Sequence, residues 1–236
     1  MRILLCSFLL ISCFCSWAQD SNDSLLYLKK NLSIYSDKAF YKKKTLYSSQ
    51  TDYEEFVARE ATPDSDCTVF YESYYNPLSL VGDFYSYEYG AAEEAACGPM
   101  GNSLGVRTIA VDTGLEVSML ELFEEEALIA AFKNDSWVLE YVDFSKQDLN
   151  TNKSFADILT FFKLGQGTRF SSDSFCILDF ENGKAKVRFV GAEYMGYNHN
   201  RHLQLGFELP VKKEALKLFA DSDNFYLGRF KNGLKL

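Results

Sequence analysis

At 236 residues with 47% hydrophobic content, the chain can bury a substantial core, which excludes a disordered polymer and suits one domain with a small N-terminal extension. Its 33 acidic against 24 basic residues leave a net charge of -9, which excludes nucleic acid as a partner, because a phosphate backbone calls for a basic stripe, and favours a cationic one. The 20 Phe and 15 Tyr set against 4 Pro suit β-sheets with tyrosine at their edges and faces.

The first residues read as an address. Met1-Arg2 is a short basic segment, Ile3 to Phe14 an apolar core, and Ser16-Trp17-Ala18 a small-residue cleavage site, so residues 1–18 are expected to be a cleaved signal peptide with Gln19 as the mature start. Such a protein is periplasmic or secreted. Leu10-Ile11-Ser12-Cys13 also has the form of a lipobox, and the alternative is a lipoprotein anchored at Cys13. The apolar run is shorter than the about 20 residues of a transmembrane helix, and no later stretch comes close, so no membrane-spanning segment is expected in the mature chain.

Residues 19–66 form an N-terminal extension with short helices. Leu25, Leu26, Leu28 and Leu32 suit one of them, and Thr51-Asp52-Tyr53-Glu54 has the spacing of a capping box for another over Tyr53 to Glu60. Residues 67–236 then make an α+β domain in which an antiparallel β-sheet is packed by several helices. Thr68 to Tyr75 and Leu78 to Tyr89 read as a hairpin turning at Asn76-Pro77. In its second strand Tyr85, Tyr87 and Tyr89 share one side, a tyrosine row, with Phe84, Ser86 and Glu88 on the other. Gly90 to Ser103 reads as a long loop carrying Glu93 and Glu94.

Val106 to Val111 is a β-branched strand that stops at Asp112-Thr113-Gly114, where glycine supplies positive φ, and the chain turns back through Leu115 to Ser118. One helix is expected across Leu120 to Ala131, a second over Trp137 to Asp143 after Asn134-Asp135-Ser136, and a third over Phe155 to Leu164 capped by Ser154. Trp137 and Leu139, with Phe155, Ile158, Leu159 and Phe162, are expected to cover a face of the sheet. Ser174 to Phe180 and Lys184 to Val190 form a hairpin around Asn182-Gly183, the strongest turn signal in the chain. A strand over Leu203 to Leu209, a helix opened by Pro210 and an edge strand near Phe225 and Tyr226 complete the chain.

The segments SLVGDFYSYEYGA, VRTIAVDTGLEVSMLELF and SFCILDFENGKAKVRF, followed by EYMGYNHNRHLQLGFELPVKKEALKLF, together resemble the bacterial extracytoplasmic domain found in lysozyme-sensing anti-sigma factors and beside peptidoglycan deacetylase domains. The resemblance covers about Cys67 to Phe219 and implies an antiparallel sheet packed by helices, outside the cytoplasmic membrane, with a basic wall-degrading enzyme such as lysozyme as partner. Where that family commonly has a Gly-Gly-Ala-His-Pro-like stretch, this chain has Tyr89-Gly90-Ala91-Ala92-Glu93, and no catalytic residue is carried over.

Candidate functional residues are few. The tyrosine row and the Glu93-Glu94 pair suggest contact with a basic protein or a cell-wall glycan, tyrosine supplying area and glutamate steering. His199 and His202 are a further candidate contact; they share a face only on a helix, and a zinc site there needs a third ligand, so no metal or cofactor is expected. Of the cysteines beyond the leader, Cys67 with Cys97 is the expected disulfide among three possible pairings, and Cys176 reads as a buried hydrophobe. The function implied is a non-enzymatic envelope binding or structural domain; the alternative is a cell-wall or glycan hydrolase or its accessory domain.

Overall fold

The computed structural model describes residues 25–29, 31–60, 69–95, 101–145, 149–166, 170–191, 203–219 and 225–226. The expected signal peptide with Cys13, the cysteines Cys67 and Cys97, and the histidines His199 and His202 lie outside the described residues.

The extension opens as a β-meander where the first short helix was expected and keeps the second, which spans Ser49–Glu60. Strands β1 (Leu25–Lys29), β2 (Leu32–Tyr35), β3 (Lys38–Tyr41) and β4 (Lys44–Ser48) pair antiparallel in sequence order. Leu32 and Ile34, then Ala39 and Tyr41, are buried at every second position, and this period of two decides for strand over the helix that the leucine spacing suggested. Helix α1 (Ser49–Glu60) follows directly, and the Ser48 hydroxyl, not that of Thr51, accepts from the first turn, at 3.3 Å from the Thr51 amide. The helix seats Phe56 on Tyr71 with ring centroids 4.0 Å apart.

The central sheet is built on a long hairpin, β5 (Val69–Val81) and β6 (Phe84–Ala95), extended by β7 (Gly101–Ala110). The turn is at Gly82-Asp83 and not at Asn76-Pro77. Gly82 has φ +56°, and a Cβ there would collide with the carbonyl of Leu218, so the backbone turns where only glycine fits. Pro77 stays within β5 because the pairing register shifts between Pro77 and Ser79, a bulge where a missing N–H costs no ladder bond. Most of the expected loop over Gly90 to Ser103 is also strand, with Gly90 opposite Leu104 and Glu93 opposite Gly101. Tyr74 lies over Gly90 and Tyr89 over Gly105, each ring filling the space a Cβ would take. Aromatic cover of this kind rescues glycine in a sheet.

The turn at Gly114 has φ +68°, and Glu116 bridges back to Ile109. The single helix expected beyond it is two, α2 (Met119–Leu122) and α3 (Glu125–Asn134). Ser118 and Glu121 form a reciprocal capping box on α2. Phe123 then leaves the helix at φ −124°, bridges Val211 and packs edge-on against Phe175. Tertiary pairing wins over local helix propensity there. Helix α4 (Ser136–Ser145) is capped by Asp135, whose carboxylate accepts from the Val138 amide at 3.0 Å. It buries Val138, while Trp137 and Leu139 are 41% and 50% exposed, a one-residue rotation from the expected face. Helix α5 (Phe155–Gln166) starts with the Ser154–Asp157 capping box and buries Phe155, Ile158 and Phe162 as its spacing predicts.

The hairpin of β8 (Phe175–Glu181) and β9 (Lys184–Val190) turns at Asn182 (φ +53°) and Gly183 (φ +78°), the paired positive angles of a type I′ turn. Strand β10 (Gln204–Pro210) pairs with β9, so Pro210 ends a strand and does not open a helix. The Phe123–Val211 bridge and the bond from the Lys212 amide to the Leu122 carbonyl at 2.8 Å keep the chain extended, and α6 is only Leu216–Phe219. Strand β11 (Phe225–Tyr226) adds to the central sheet beside β5.

The fold is thus α+β, with three antiparallel sheets and several helices. Strand β8, an outer strand of the β10-β9-β8 sheet, lies across β5, β6 and β7. Its outer backbone edge, unpaired within its own sheet, is met by buried hydroxyls: Ser79 donates to the Ile177 carbonyl, Ser86 accepts from the Ile177 amide at 3.0 Å, and Thr108 donates to the Phe175 carbonyl at 2.9 Å. A buried strand edge needs such partners, and side chains of a second sheet supply them here.

Candidate functional site

The alternation along β6 holds, and its two faces have different fates. Tyr85, Tyr87 and Tyr89 point toward the N-terminal meander. Tyr85 is fully buried and Tyr87 nearly so, while Tyr89 is half-buried. Their rings run in series, 5.5 Å from Tyr85 to Tyr87 and 5.9 Å from Tyr87 to Tyr89. Tyr47 of β4 roofs them, stacked on Tyr75 at 5.0 Å and 5.5 Å from Tyr89. The hydroxyls of Tyr75 and Tyr85 bond each other. Burial raises the pKa of Tyr85, Tyr87 and Tyr89 above the ordinary phenol value. Glu94 is exposed near the far end of β6, and Glu93 sits in the same strand. The structure therefore places the row and the glutamates on one strand but sheathes most of the row in protein.

At the outer end of the row Arg107 lies over the Tyr89 ring, 5.4 Å from its centroid, and its Nε is 3.3 Å from Glu116 Oε1. Burial and then a hydrogen bond with Asp173 raise the Glu116 pKa; Asp173, against its own burial, is held low by the Ser171 hydroxyl and by Glu116. Two carboxyl groups in hydrogen-bond contact share one proton more readily than they hold two charges.

The other face of β6 carries Glu88, which sequence reasoning treated only as the back of the tyrosine row. Glu88 is ion-paired with Arg188 of β9, their side chains 15% and 12% exposed. This pair forms part of a cleft of about 540 Å³ between the central sheet and the β9–β10 hairpin. Tyr74, Tyr75 and Asn76 line it from β5, Leu104 from β7 and Gln204 from β10. The Tyr74 hydroxyl donates to the Ser103 carbonyl at 3.0 Å, and burial, with Glu88 nearby, pushes its pKa up to about 12. A guanidinium this enclosed requires a carboxylate beside it, and each charge holds the other in place.

Behind Arg188, Cys176 of β8 is fully buried with a free thiol whose pKa burial pushes up to about 11. It packs with Leu78, Val106 and Val190 as the small hydrophobe that its surroundings in sequence suggest. A thiol so far from ionisation is a poor nucleophile. Among the described residues there is no group of three or more His, Cys, Asp or Glu placed to hold a metal ion, and no helix long and apolar enough to cross a membrane.

The chain matches no protein-family model and no curated protein.

Proposed function

We propose that the chain is an exported, non-enzymatic binding domain of the cell envelope and that its ligand seats in the cleft over Glu88 and Arg188. The observation that carries this reading is the lining: among the described residues, the Tyr74 ring, Leu104 and two side-chain amides surround one carboxylate, and a guanidinium holds that carboxylate. The hydrolase alternative works through two carboxyl groups about 5–9.5 Å apart flanking the scissile bond. Among the described residues Glu88 is the one carboxylate lining the cleft, and Glu116 and Asp173, in direct contact, leave no room for a sugar between them. The leader-like N-terminus supports action outside the cytoplasmic membrane, and the charge of -9, with Glu94 exposed on β6, favours lysozyme or a similar cationic protein as the second partner.

Mature protein is expected to sediment with insoluble cell-wall sacculi without releasing reducing ends, and to capture lysozyme with an association rate that falls as salt shortens the Debye length. Release of reducing ends that Glu88→Gln abolishes replaces this reading with the hydrolase. Protein that ignores both sacculi and lysozyme even at low salt refutes envelope binding altogether.

A further inference from the structure

We infer that the cleft over the Glu88–Arg188 pair recognises a neutral, hydroxyl-rich ligand, a short run of uncharged sugar rings, and rejects anions and cations. The inference rests on the binding reading above and narrows it to a ligand class.

Charge comes first. Among the described residues the lining carries two charged groups, opposite in sign and in contact, with little of either side chain open to solvent. An anionic ligand group would face the Glu88 carboxylate, and a cationic one the guanidinium. Either leaves a net charge beside a mostly buried ion pair, where interactions are screened less than at the open surface. A neutral ligand leaves the pair intact.

Hydrogen-bonding character points the same way. Asn76 and Gln204 each carry a carbonyl acceptor and an NH₂ donor, and the Glu88–Arg188 pair sets acceptor oxygens beside donor nitrogens. Tyr74 donates its proton to Ser103, so its oxygen faces a ligand as an acceptor. Among the described residues the polar lining mixes donors and acceptors. A sugar hydroxyl, which donates and accepts at once, matches such a lining; a carboxylate accepts only and an ammonium donates only.

The apolar part completes the match. Tyr74 and Leu104 give the cleft ring and aliphatic surface beside its polar atoms, while the Tyr75 ring is turned to the other face of the sheet against Tyr47. A pyranose has the same division, with C–H groups on its faces and hydroxyls at its perimeter. The volume of about 540 Å³ lies within the roughly 300–1,000 Å³ of small-ligand sites. The scaffold is also preformed: Tyr74 is held by the Ser103 carbonyl and seated over Gly90, so its ring needs no ordering on binding.

The test is a titration of the full mature chain followed by backbone amide NMR. The probes are neutral oligosaccharides (chitotriose, cellotriose and maltotriose), an anionic trimer of galacturonic acid, a cationic trimer of glucosamine, and adenine as a flat ligand without hydroxyls. At least one neutral trimer is expected to give saturable shifts at Asn76, Glu88 and Gln204, with the charged trimers weaker by about tenfold or more, as befits a site that penalises a mismatched polar group. Gln204→Ala, at an exposed position on β10, should weaken the neutral trimer about three- to tenfold, the value of one or two hydrogen bonds. Replacing Glu88 and Arg188 together by Met should abolish the shifts while amide dispersion shows the fold retained.

Equal or tighter binding of a charged trimer or of adenine overturns the inference, as does a neutral trimer whose affinity Gln204→Ala leaves unchanged. If no neutral trimer binds but the Met pair still abolishes sedimentation with sacculi, the neutral class is wrong and the envelope-binding cleft stands. If sedimentation is also lost from wild type, both fail.

Discussion

The central sheet has a core on each side, and the two are made of different aromatics. Toward the helices Phe132 is a hub, its ring 4.8 Å from Phe207, 5.2 Å from Phe189 and 5.7 Å from both Phe155 and Phe162. Most of these contacts are edge-on, the arrangement that aromatic quadrupoles favour. Toward the meander the rings are tyrosines, and every buried phenol carries an obligation. Tyr75 and Tyr85 bond each other, Tyr41 donates to the Asp112 carbonyl, and Tyr47 donates to that of Tyr74 at 3.3 Å. The phenylalanine core stabilises through buried area and contact alone. The tyrosine core adds direction: slipping the meander by one residue would orphan its hydroxyls, so this side specifies register at the cost of requiring partners.

This contrast gives its largest effect under alkali. Burial raises the folded-state pKa of Tyr47, Tyr75, Tyr85, Tyr87 and Tyr89 above the unfolded value of about 10. The stability these groups contribute is therefore complete below about pH 10 and is lost as pH climbs from there through the raised values, because the unfolded chain releases its protons first. Tyrosinate absorbance should rise in one cooperative step together with loss of near-ultraviolet circular dichroism. Smooth titration near pH 10 with the fold intact would mean that the tyrosine side is open to solvent and the contrast is false.

Next in size is Phe132→Ala. Truncating the hub of a dry aromatic core should cost about 3–5 kcal/mol in urea unfolding, whereas Tyr85→Phe, which keeps the ring and orphans only the Tyr75 hydroxyl, should cost about 1–3 kcal/mol. Equal costs would erase the distinction between an area-driven and a direction-driven core. The smallest effect lies where the central sheet meets β8. Ser86→Ala takes the acceptor from the buried Ile177 amide and breaks the bond to Thr108 at 3.0 Å, an expected loss of about 1–3 kcal/mol. Hydrogen exchange at Ile177 should quicken more than at Val187 across the ladder; uniform exchange would show that the hydroxyls do not hold the edge.

The Tyr74, Glu88 and Arg188 cleft was not legible in the chain. In β9 Arg188 falls in step with Lys184 and Lys186, on what reads as a solvent face, because Ala185, Val187 and Phe189 alternate with it. Only the seating of that hairpin on the central sheet turns the position inward, and its partner Glu88 is 100 residues away. The tyrosine row was legible as a row, by period, but Tyr47, which roofs it, comes from β4, a short strand of the extension for which the sequence reading assigned no element.

What the sequence determined by itself was whatever acts over a few residues. Asn182-Gly183 fixes a type I′ turn, Ser154 with Asp157 starts α5, Gly114 ends the β7 excursion, and alternation divides β6 into two faces. Each is a local backbone or capping preference with little for tertiary contacts to overrule. The tertiary structure decided the rest wherever a local signal had a distant answer. Pro77 stays in a strand because the register shifts beside it, Gly90 because Tyr74 covers it, Phe123 leaves its helix for Val211, and Gly82 turns against the Leu218 carbonyl. The physical reason is the same in each case: a proline, a glycine or a helix end has several acceptable backbone states, and the free energy that selects one comes from packing and hydrogen bonds with residues far along the chain.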